Sequence, residues 1–539
     1  MALPLWLPVV GPIIVAAIGY YLPRGPLQRL SLLFQLGQTA LVSYLLVLVR
    51  RGGPIRQVLG GWPGGIGIPL DVDVVSGALV ALSGWFFLLL LLFNVRKRYM
   101  DRLFQFLLWT LQGLLVGLFL AADLFNMYVL LELSTLVISV LIMYKRSKQA
   151  IFNGMVYLTV NLASMSFMLL GIGLVYRGLG TLDLQQMAVS VAAVGDPRSL
   201  ILPFAFVITA IGVKAAMFLL FAWLPPAHGA PSAPSIVSAI LSGLQVKAGV
   251  YLFIRLQGVF GEALPTREFF LIVGILTAVS GFVLAIAQKD IKLILAYHTI
   301  SQVGLIILGL NVGTDTAWWG GIYHMINHAI FKALLFLTAG IAIHVYGTRN
   351  VYQIRGLFRR MPLVALGALA GVLGITGAPY FNGSVSKYLI QSGWQMSLGE
   401  AAIHLINLGT AVSFVKFSTI FFGRPNEGAG PVQESRQPDG FTTTVALIMG
   451  TVCFAGGIGA PVVLRLLFGR ALKVSGAFVL EKLITFAITV GVAIAIYQLI
   501  VKRTAIFDRI RAFHFSLNDL VVGILLFFGS TAGYLYVVL

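Results

Sequence analysis

Apolar runs follow one another from end to end of the chain, and polar positions gather into short stretches between them. A bilayer core about 30 Å thick takes about 20 apolar residues of helix. Runs of that kind fall at 4–22, 28–50, 75–94, 103–121, 123–143, 152–176, 200–221, 236–256, 268–287, 291–309, 317–345, 362–395, 400–422, 441–466, 478–501 and 519–537. The pattern predicts an all-α polytopic membrane protein of about 14–16 spanning helices. The first run, MALPLWLPVVGPIIVAAIGYYL, has no basic residue before it and is as long as a span. It reads as the first helix, not as a cleaved signal.

Two regions break the pattern. Between Ala210 and Arg255 the chain reads AIGVKAAMFLLFAWLPPAHGAPSAPSIVSAILSGLQVKAGVYLFIR, with Pro225, Pro226, His228, Pro231 and Pro234 at the interruption. Lys214 precedes the prolines by roughly 15 Å at helical rise, and Lys247 follows them. Irregular backbone in lipid has to be satisfied by protein or water, so lysines flanking such a break point to an internal aqueous path. The run 362–395 is too long for one straight span and contains GITGAPYFNGSVSKY. Gly374, Gly377, Pro379 and Gly383 are expected to unwind it, with Lys387 just beyond. Two interrupted helices about 150 residues apart, each with a lysine, suggest a duplicated transporter core. The expected repeats are 103–256 and 268–422, flanked by helices in 1–100 and in 440–539.

Ionisable residues inside the runs carry the candidate chemistry. Glu132 lies within ADLFNMYVLLELSTLVISVLIMY, where a lone carboxylate costs a few kcal/mol and has to be neutral, paired or hydrated. Lys214 is its expected partner, and a change in their separation alters proton affinity there. Asp123, nearer the end of the run, reads as a helix-end residue. His324, His328 and Lys332 recur at every fourth position on one stripe of GGIYHMINHAIFKALLFLTAGIAIHVYG, and His298 lies beside Thr299, Ser301 and Gln302. Imidazole accepts a proton on one nitrogen and releases one from the other near neutral pH, which suits relay. A histidine simply hydrogen-bonded inside a bundle is the plainer alternative for each.

The chain is 59% hydrophobic and only 10% charged, which leaves no room for a sizeable soluble domain. Its net charge of +19 has a topological explanation. Arg96–Lys97–Arg98, Lys145–Arg146–Lys148, Lys289 with Lys292, and Arg355 with Arg359–Arg360 all fall on one side of the expected spans. The positive-inside rule makes that side cytoplasmic and puts the N-terminus outside, at the cell membrane. Nucleic acid is not an expected partner. One cysteine, Cys453, stands in an apolar run, so a Cys-ligated cluster or zinc site is not expected, and lysine is a poor metal ligand. GGWPGGIGIPLDVD (60–73) lies in no strand–turn–helix unit, which argues against a dinucleotide site. Segment 502–519 looks like an amphipathic interfacial link.

Taken as an ordered set, DLFNMYVLLEL, GVKAAMFLLFAWLPPAHGAPSAPSIVSAILSG with LQVKAGVYLFIR, AYHTISQVG, HAIFKALLFLTAG and GAPYFNGSVSKYLI resemble the antiporter-like subunits of three assemblies. These are respiratory complex I, Mrp-type Na⁺/H⁺ antiporters and membrane-bound energy-converting hydrogenases. The resemblance covers roughly residues 60–422. It implies two inverted five-helix repeats and gives Glu132 the role of the family's fifth-helix carboxylate. It likewise matches Lys214 to the lysine of the broken seventh helix, Lys247 to the connecting lysine of the eighth, and His328 to the histidine of the eleventh. Lys387 takes the terminal place on the broken twelfth. Lysine at that place is similar to Mrp D-type and hydrogenase-type subunits. The C-terminus extends about two helices past the shorter members and lacks the long lateral helix of the longest.

The resemblance implies a proton-translocating subunit of a Mrp-type antiporter or of a redox-driven pump, holding no cofactor and performing no chemistry of its own. Implied partners are sister membrane subunits and the lipid bilayer. Protons are the implied cargo, with Na⁺ a further candidate ion. The alternative is a proton-conducting partner in an inorganic-carbon uptake complex. An enzyme in its own right has little support, because no nucleophile elbow, metal cluster or phosphate loop occurs.

Overall fold

The computed structural model describes residues 3–62, 67–97, 99–229, 233–394, 397–424, 437–469, 476–513 and 515–539. Among them, 14 helices are long and apolar enough to cross a membrane, and two shorter apolar helices, Leu7–Tyr21 and Pro362–Thr376, complete the series. In chain order the sixteen spans are Leu7–Tyr21, Arg24–Gly52, Val74–Asn94, Arg102–Leu120, Leu124–Met143, Lys148–Leu179, Ile201–Ala215 with Leu224–His228, Ser235–Phe260, Arg267–Ala287, Ile291–Asn311, Asp315–Tyr346, Pro362–Thr376 with Asn382–Ser392, Ser397–Ser418, Gly440–Ile458, Gly476–Ile496 with Tyr497–Val501, and Leu517–Val538. The expected 441–466 run is divided: its last part forms a separate helix, Ala460–Phe468, after Gly459.

The scarce carboxylates mostly serve helix starts, where the first backbone amides lack intrahelical partners. Asp73, Asp101, Asp123, Asp183, Asp290 and Asp439 each accept a first-turn amide. Asp123 is therefore a helix-end residue, as its position suggested. Glu132 stands apart, in the middle of the fifth span.

Helix is not the whole fold. Ile55–Leu59 and Ile68–Val72 pair antiparallel, with Ile55 opposite Val72, where only a polar loop was expected. Arg56 ties this hairpin down by ion pairs to Asp71 and Asp183. Asp73 then caps the third span through a reciprocal box with Ser76 and pairs with Arg255 at 2.6 Å. Burial acts to raise the Asp73 carboxyl, but the Arg255 charge and hydrogen bonds from Arg255 and Ser76 outweigh it, holding the group below its usual value. A carboxyl lowered in the folded state stabilises fully above about pH 4 and loses that contribution as pH falls through its folded value. Asp73→Ala is expected to cost about 1–2 kcal/mol at neutral pH, read as a lower thermal midpoint of the solubilised protein. The gap to the parent should narrow on acidification.

In lipid, burial of apolar surface does not itself drive helices together; close packing and interhelical hydrogen bonds do. Most of the eighth span is buried, and the tenth and eleventh lie beside it. Lys416 of the thirteenth span is buried and donates to the carbonyls of Ala285, Ile286 and Gln288 at 3.1, 2.6 and 2.6 Å. It thereby caps the C-terminal end of the ninth span, where carbonyls lack partners and a cation is favoured. Lys292, counted from sequence with the basic loops, is also buried, donating to the Ala233 carbonyl and Ser238 Oγ at 3.1 and 3.2 Å.

The seventh span breaks elsewhere than expected. It ends at Ala215, and residues 216–223 are irregular, with Ala216 and Leu219 at φ of 54° and 70°. Pro225 and Pro226 lie inside the short helix Leu224–His228, in its first turn, where the missing amide costs nothing. Lys214 thus adjoins the break directly. Trp223 Nε1 donating to the Val213 carbonyl at 2.8 Å, and the Phe218 amide donating to Thr277 Oγ1 at 2.9 Å, satisfy part of the freed backbone. Pro234 precedes the eighth span, and Pro231 lies outside the described residues. The twelfth span breaks within 377–381, where Gly377 and Tyr380 have φ of 79° and 69°. Pro379 falls in that gap, whereas Gly374 is still helical and Gly383 already belongs to the second half.

Candidate functional site

The fifth span presents Ser134 and Thr135 on one turn, and both hydroxyls donate to the Leu131 carbonyl, at 2.7 and 2.9 Å. Their lone pairs then serve two different neighbours. Lys214 Nζ donates to Thr135 Oγ1 at 2.6 Å, and Gln245 Nε2 donates to Ser134 Oγ at 3.1 Å. Gln245 closes a π-turn, Leu241–Gln245, in the eighth span, and Lys247 follows it. The fifth span therefore links the lysine of the broken seventh span to the neighbourhood of the lysine of the eighth. Gly249 allows the seventh and eighth spans this contact, since a Cβ there would stand 2.5 Å from the Ala215 nitrogen.

Glu132 and Lys214 do not close the expected ion pair. The lysine is committed to Thr135, and the half-buried Glu132 meets the Tyr128 hydroxyl and lines a groove with Ser166, Leu169 and Gly173. Thr135 follows Glu132 by three residues, about one helical turn.

Lys247 is the junction. It is fully buried, donates to the Ser242 carbonyl, and lies 2.6 Å from His328 Nδ1. The π-turn supplies that carbonyl, whose amide partner is displaced by one residue. His328 and His324 stack with ring centroids 6.4 Å apart. His324 reaches Ser386 Oγ through Nδ1 at 2.8 Å and Gln302 Oε1 through Nε2 at 3.0 Å. Ser386 adjoins Lys387 on the second half of the broken twelfth span, and Lys387 Nζ donates back across the break to the Ile375 carbonyl at 2.8 Å. Gly383 lets the two halves overlap, because a Cβ there would stand 1.9 Å from the Gly374 oxygen.

A branch leaves the junction. Ser242 Oγ lies 2.8 Å from Thr299 Oγ1, which lies 3.5 Å from His228 Nε2, while His228 Nδ1 is 2.5 Å from the Leu224 carbonyl. His228, expected only as part of the proline break, is thus bonded into the site. Two other histidine-stripe expectations fare differently. Lys332 donates to the Leu295 carbonyl and lies 5.1 Å over the Phe336 ring, and among the described residues no hydrogen bond joins it to Lys247 or His328. His298 packs on Phe414 at 4.8 Å, and neither of its nitrogens has a partner among the described residues.

Ser134, Thr135, Gln245, Ser242 and Ser386 do not emerge from sequence reasoning, and Thr299 is noticed there only as a neighbour of His298. Their signal is visible afterwards: each is a hydroxyl or amide at the depth of a titratable residue on its own or an adjacent span. Small polar residues are common between membrane helices, which makes that signal weak by itself. His328 Nε2, Ser301 Oγ, Gln302 Nε2 and both side-chain atoms of the Asn382 amide are buried without partners among the described residues. Buried polar atoms of this kind favour water, so the second half of the row has the lining of a hydrated path.

Comparisons with known proteins give the chain's family and fold. The family model described as NADH:quinone oxidoreductase/Mrp antiporter, TM, matches residues 121–412. A protein of Staphylococcus aureus (strain MRSA252) named as antiporter subunit mnhD2 is 29% identical over 477 residues, covering 85% of this chain and 93% of its own. The NADH-quinone oxidoreductase subunit N of Desulforudis audaxviator (strain MP104C) is 32% identical over 395 residues, covering 70% and 78%. A chain in the structure of the Mrp complex from Dietzia sp. DQ12-45-1b superposes with a TM-score of 0.78 at 23% identity, covering 94% of this chain and 99% of that one, and so shares the fold.

Proposed function

Because the chain belongs to the NADH:quinone oxidoreductase/Mrp antiporter transmembrane family, we propose that it is a proton-translocating, antiporter-like subunit of a larger membrane assembly. The observation that carries this reading is the junction at Lys247. A buried lysine 2.6 Å from an imidazole nitrogen, with a second imidazole stacked behind it, joins hydroxyl and amide groups on one side to Ser386 and Lys387 on the other. Protons move by short transfers between such groups, and an imidazole can take one and pass another on.

The row runs from Glu132 and Lys214 through Lys247, His328 and His324 to Lys387. Spans four to eight and nine to thirteen form the two proposed inverted repeats, supported by a break in the fourth member of each. A proton crossing 100 mV is worth about 2.3 kcal/mol, a scale that a charge moving among closely spaced buried groups can match. The groove beside Glu132 supports a sister subunit at that end, because a half-buried carboxylate facing lipid is costly. The basic loops are proposed to be cytoplasmic, with the N-terminus outside.

Relatives in an antiporter and in a quinone oxidoreductase leave two driving sources for the same row. Purification from native membrane in mild detergent, with partners identified by mass spectrometry, separates them. Small membrane subunits alone identify a cation/proton antiporter; iron–sulfur or quinone-reducing subunits identify a redox pump. Recovery of the chain as a monomer that conducts protons without partners contradicts the subunit reading.

A further inference from the structure

Two spans outside the proposed repeats, the fourteenth and the sixteenth, meet the two breaks in the same way. Each break holds one large residue in the left-handed region: Leu219 at φ of 70° in the seventh span and Tyr380 at φ of 69° in the twelfth. A side chain there is strained, so the surroundings have to hold it. What lies against each is a glycine. Gly523 of the sixteenth span abuts the Leu219 carbonyl, and Gly457 of the fourteenth abuts the Tyr380 carbonyl, each so closely that a Cβ would fall on the oxygen. Neither oxygen accepts a hydrogen bond among the described residues, and a Cα–H at a helix contact is a weak donor to such a group.

Each span adds apolar contacts beside its glycine. Phe527 lies over Gly212, where a Cβ would stand 3.4 Å from its ring, and Phe528 packs on Phe206 at 4.5 Å. In the fourteenth span Phe454 packs on Phe381 at 5.3 Å, and the Gly456 carbonyl accepts from the Tyr323 hydroxyl at 3.0 Å. These contacts reach the lysines. The turn that carries Lys214 is folded against its break: the Met217 amide donates to the Gly212 carbonyl at 3.0 Å, and Trp223 Nε1 donates to the Val213 carbonyl at 2.8 Å. A shift of Leu219 therefore moves that turn, and with it the ammonium on Thr135. At the other break Lys387 binds the Ile375 carbonyl, and Tyr380 stands in the chain between them.

We propose that the fourteenth and sixteenth spans are matched braces, in which Gly457 and Gly523 fix the left-handed residue of each break and so position Lys387 and Lys214. The glycines are positioning residues and take up no proton themselves. The braces rest on the proton-translocation reading above.

The test uses the intact assembly in sealed vesicles, with the variant chain present in stoichiometric amount. Gly523→Ala should lower proton flux toward the roughly 100-fold loss that a shift of about 1 Å at a positioned group causes. Gly457→Ala should do the same. Gly529→Ala, on the same sixteenth span but with open space at its Cβ, should keep the parental rate. The pH profile of flux separates positioning from stability. Among the described residues Glu132 is the charged group whose field reaches Lys214, and the sixth span adds the neutral Tyr157 hydroxyl beside Thr135. Moving the ammonium relative to these groups changes its proton affinity and displaces the profile of Gly523→Ala, whereas an assembly that is only less stable keeps the parental profile at lower amplitude. Parental flux in Gly523→Ala, an undisplaced profile, or an equal loss in Gly529→Ala overturns the brace. Phe527→Ala loosens the same contact without a clash and decides the matter where Gly523→Ala does not assemble: lower flux with a displaced profile upholds the brace, and parental behaviour overturns it. Parental flux in Lys214→Ala, by contrast, strikes at the underlying reading.

Discussion

Lys247→Ala is expected to reduce proton flux through the assembly by about 100-fold or more, the range lost when a positioned proton donor or acceptor is removed. The size of the effect follows from geometry. Lys247 joins two elements: it donates to the Ser242 carbonyl of the π-turn that precedes it and lies against His328 of the eleventh span, while the Ser242 hydroxyl separately meets the Thr299–His228 pair. Alanine removes the group that spans from the eighth helix to the eleventh, the one hydrogen-bond partner of His328 Nδ1 among the described residues. His328→Ala should give a comparable loss. Flux is followed with a pH-sensitive dye in native membrane vesicles, alongside a gel that shows the variant chain assembled.

The second large effect is expected at Lys214. Lys214→Ala should also lower flux by about 100-fold, whereas Thr135→Val should slow it less, because the hydroxyl positions the ammonium and does not replace it. Lys214 stands in the last turn before the irregular segment 216–223, and among the described residues its ammonium is held by a single side-chain bond, to Thr135 at 2.6 Å. Glu132 is one turn from that contact and free of an ion pair among the described residues, so it is placed to draw the ammonium away from Thr135. Glu132→Gln should therefore slow flux without abolishing it. Comparing initial rates for the three variants in the same vesicles tests the order: Lys214→Ala lowest, then the other two.

Much of this arrangement is legible in the sequence because lipid makes the constraints severe. A charge cannot sit idle in a span, so Lys214, Lys247, His328 and Lys387 stand out against their apolar neighbours, and all four lie on the row. For the same reason the sixteen runs yield, among the described residues, fourteen helices long and apolar enough to cross a membrane and two shorter apolar ones. What the sequence hides is pairing. Glu132 and Lys214 have opposite charges and similar depth, yet the lysine bonds a hydroxyl that carries no charge to notice. The break of the seventh span is equally hidden. Ala216 and Leu219 are not breakers, and their left-handed conformations are imposed by tertiary contacts such as that between Phe218 and Thr277, whereas the conspicuous prolines settle into a first turn. Lys292 misleads in the opposite sense, since a lysine near the end of a run reads as surface charge until the carbonyl that binds it is seen. The Ile55–Leu59 hairpin lies in glycine-rich sequence whose pairing is held by Arg56 ion pairs reaching to Asp183, far along the chain.

The central proposal is that protons cross this protein along the row of titratable groups with Lys247 at its junction. The measurement that tests it most directly is proton flux into liposomes holding the purified assembly, parent against Lys247→Ala, each carrying the chain in stoichiometric amount. The row predicts that the variant assembly conducts at the rate of protein-free liposomes. Parental flux through a fully assembled Lys247→Ala complex would contradict it.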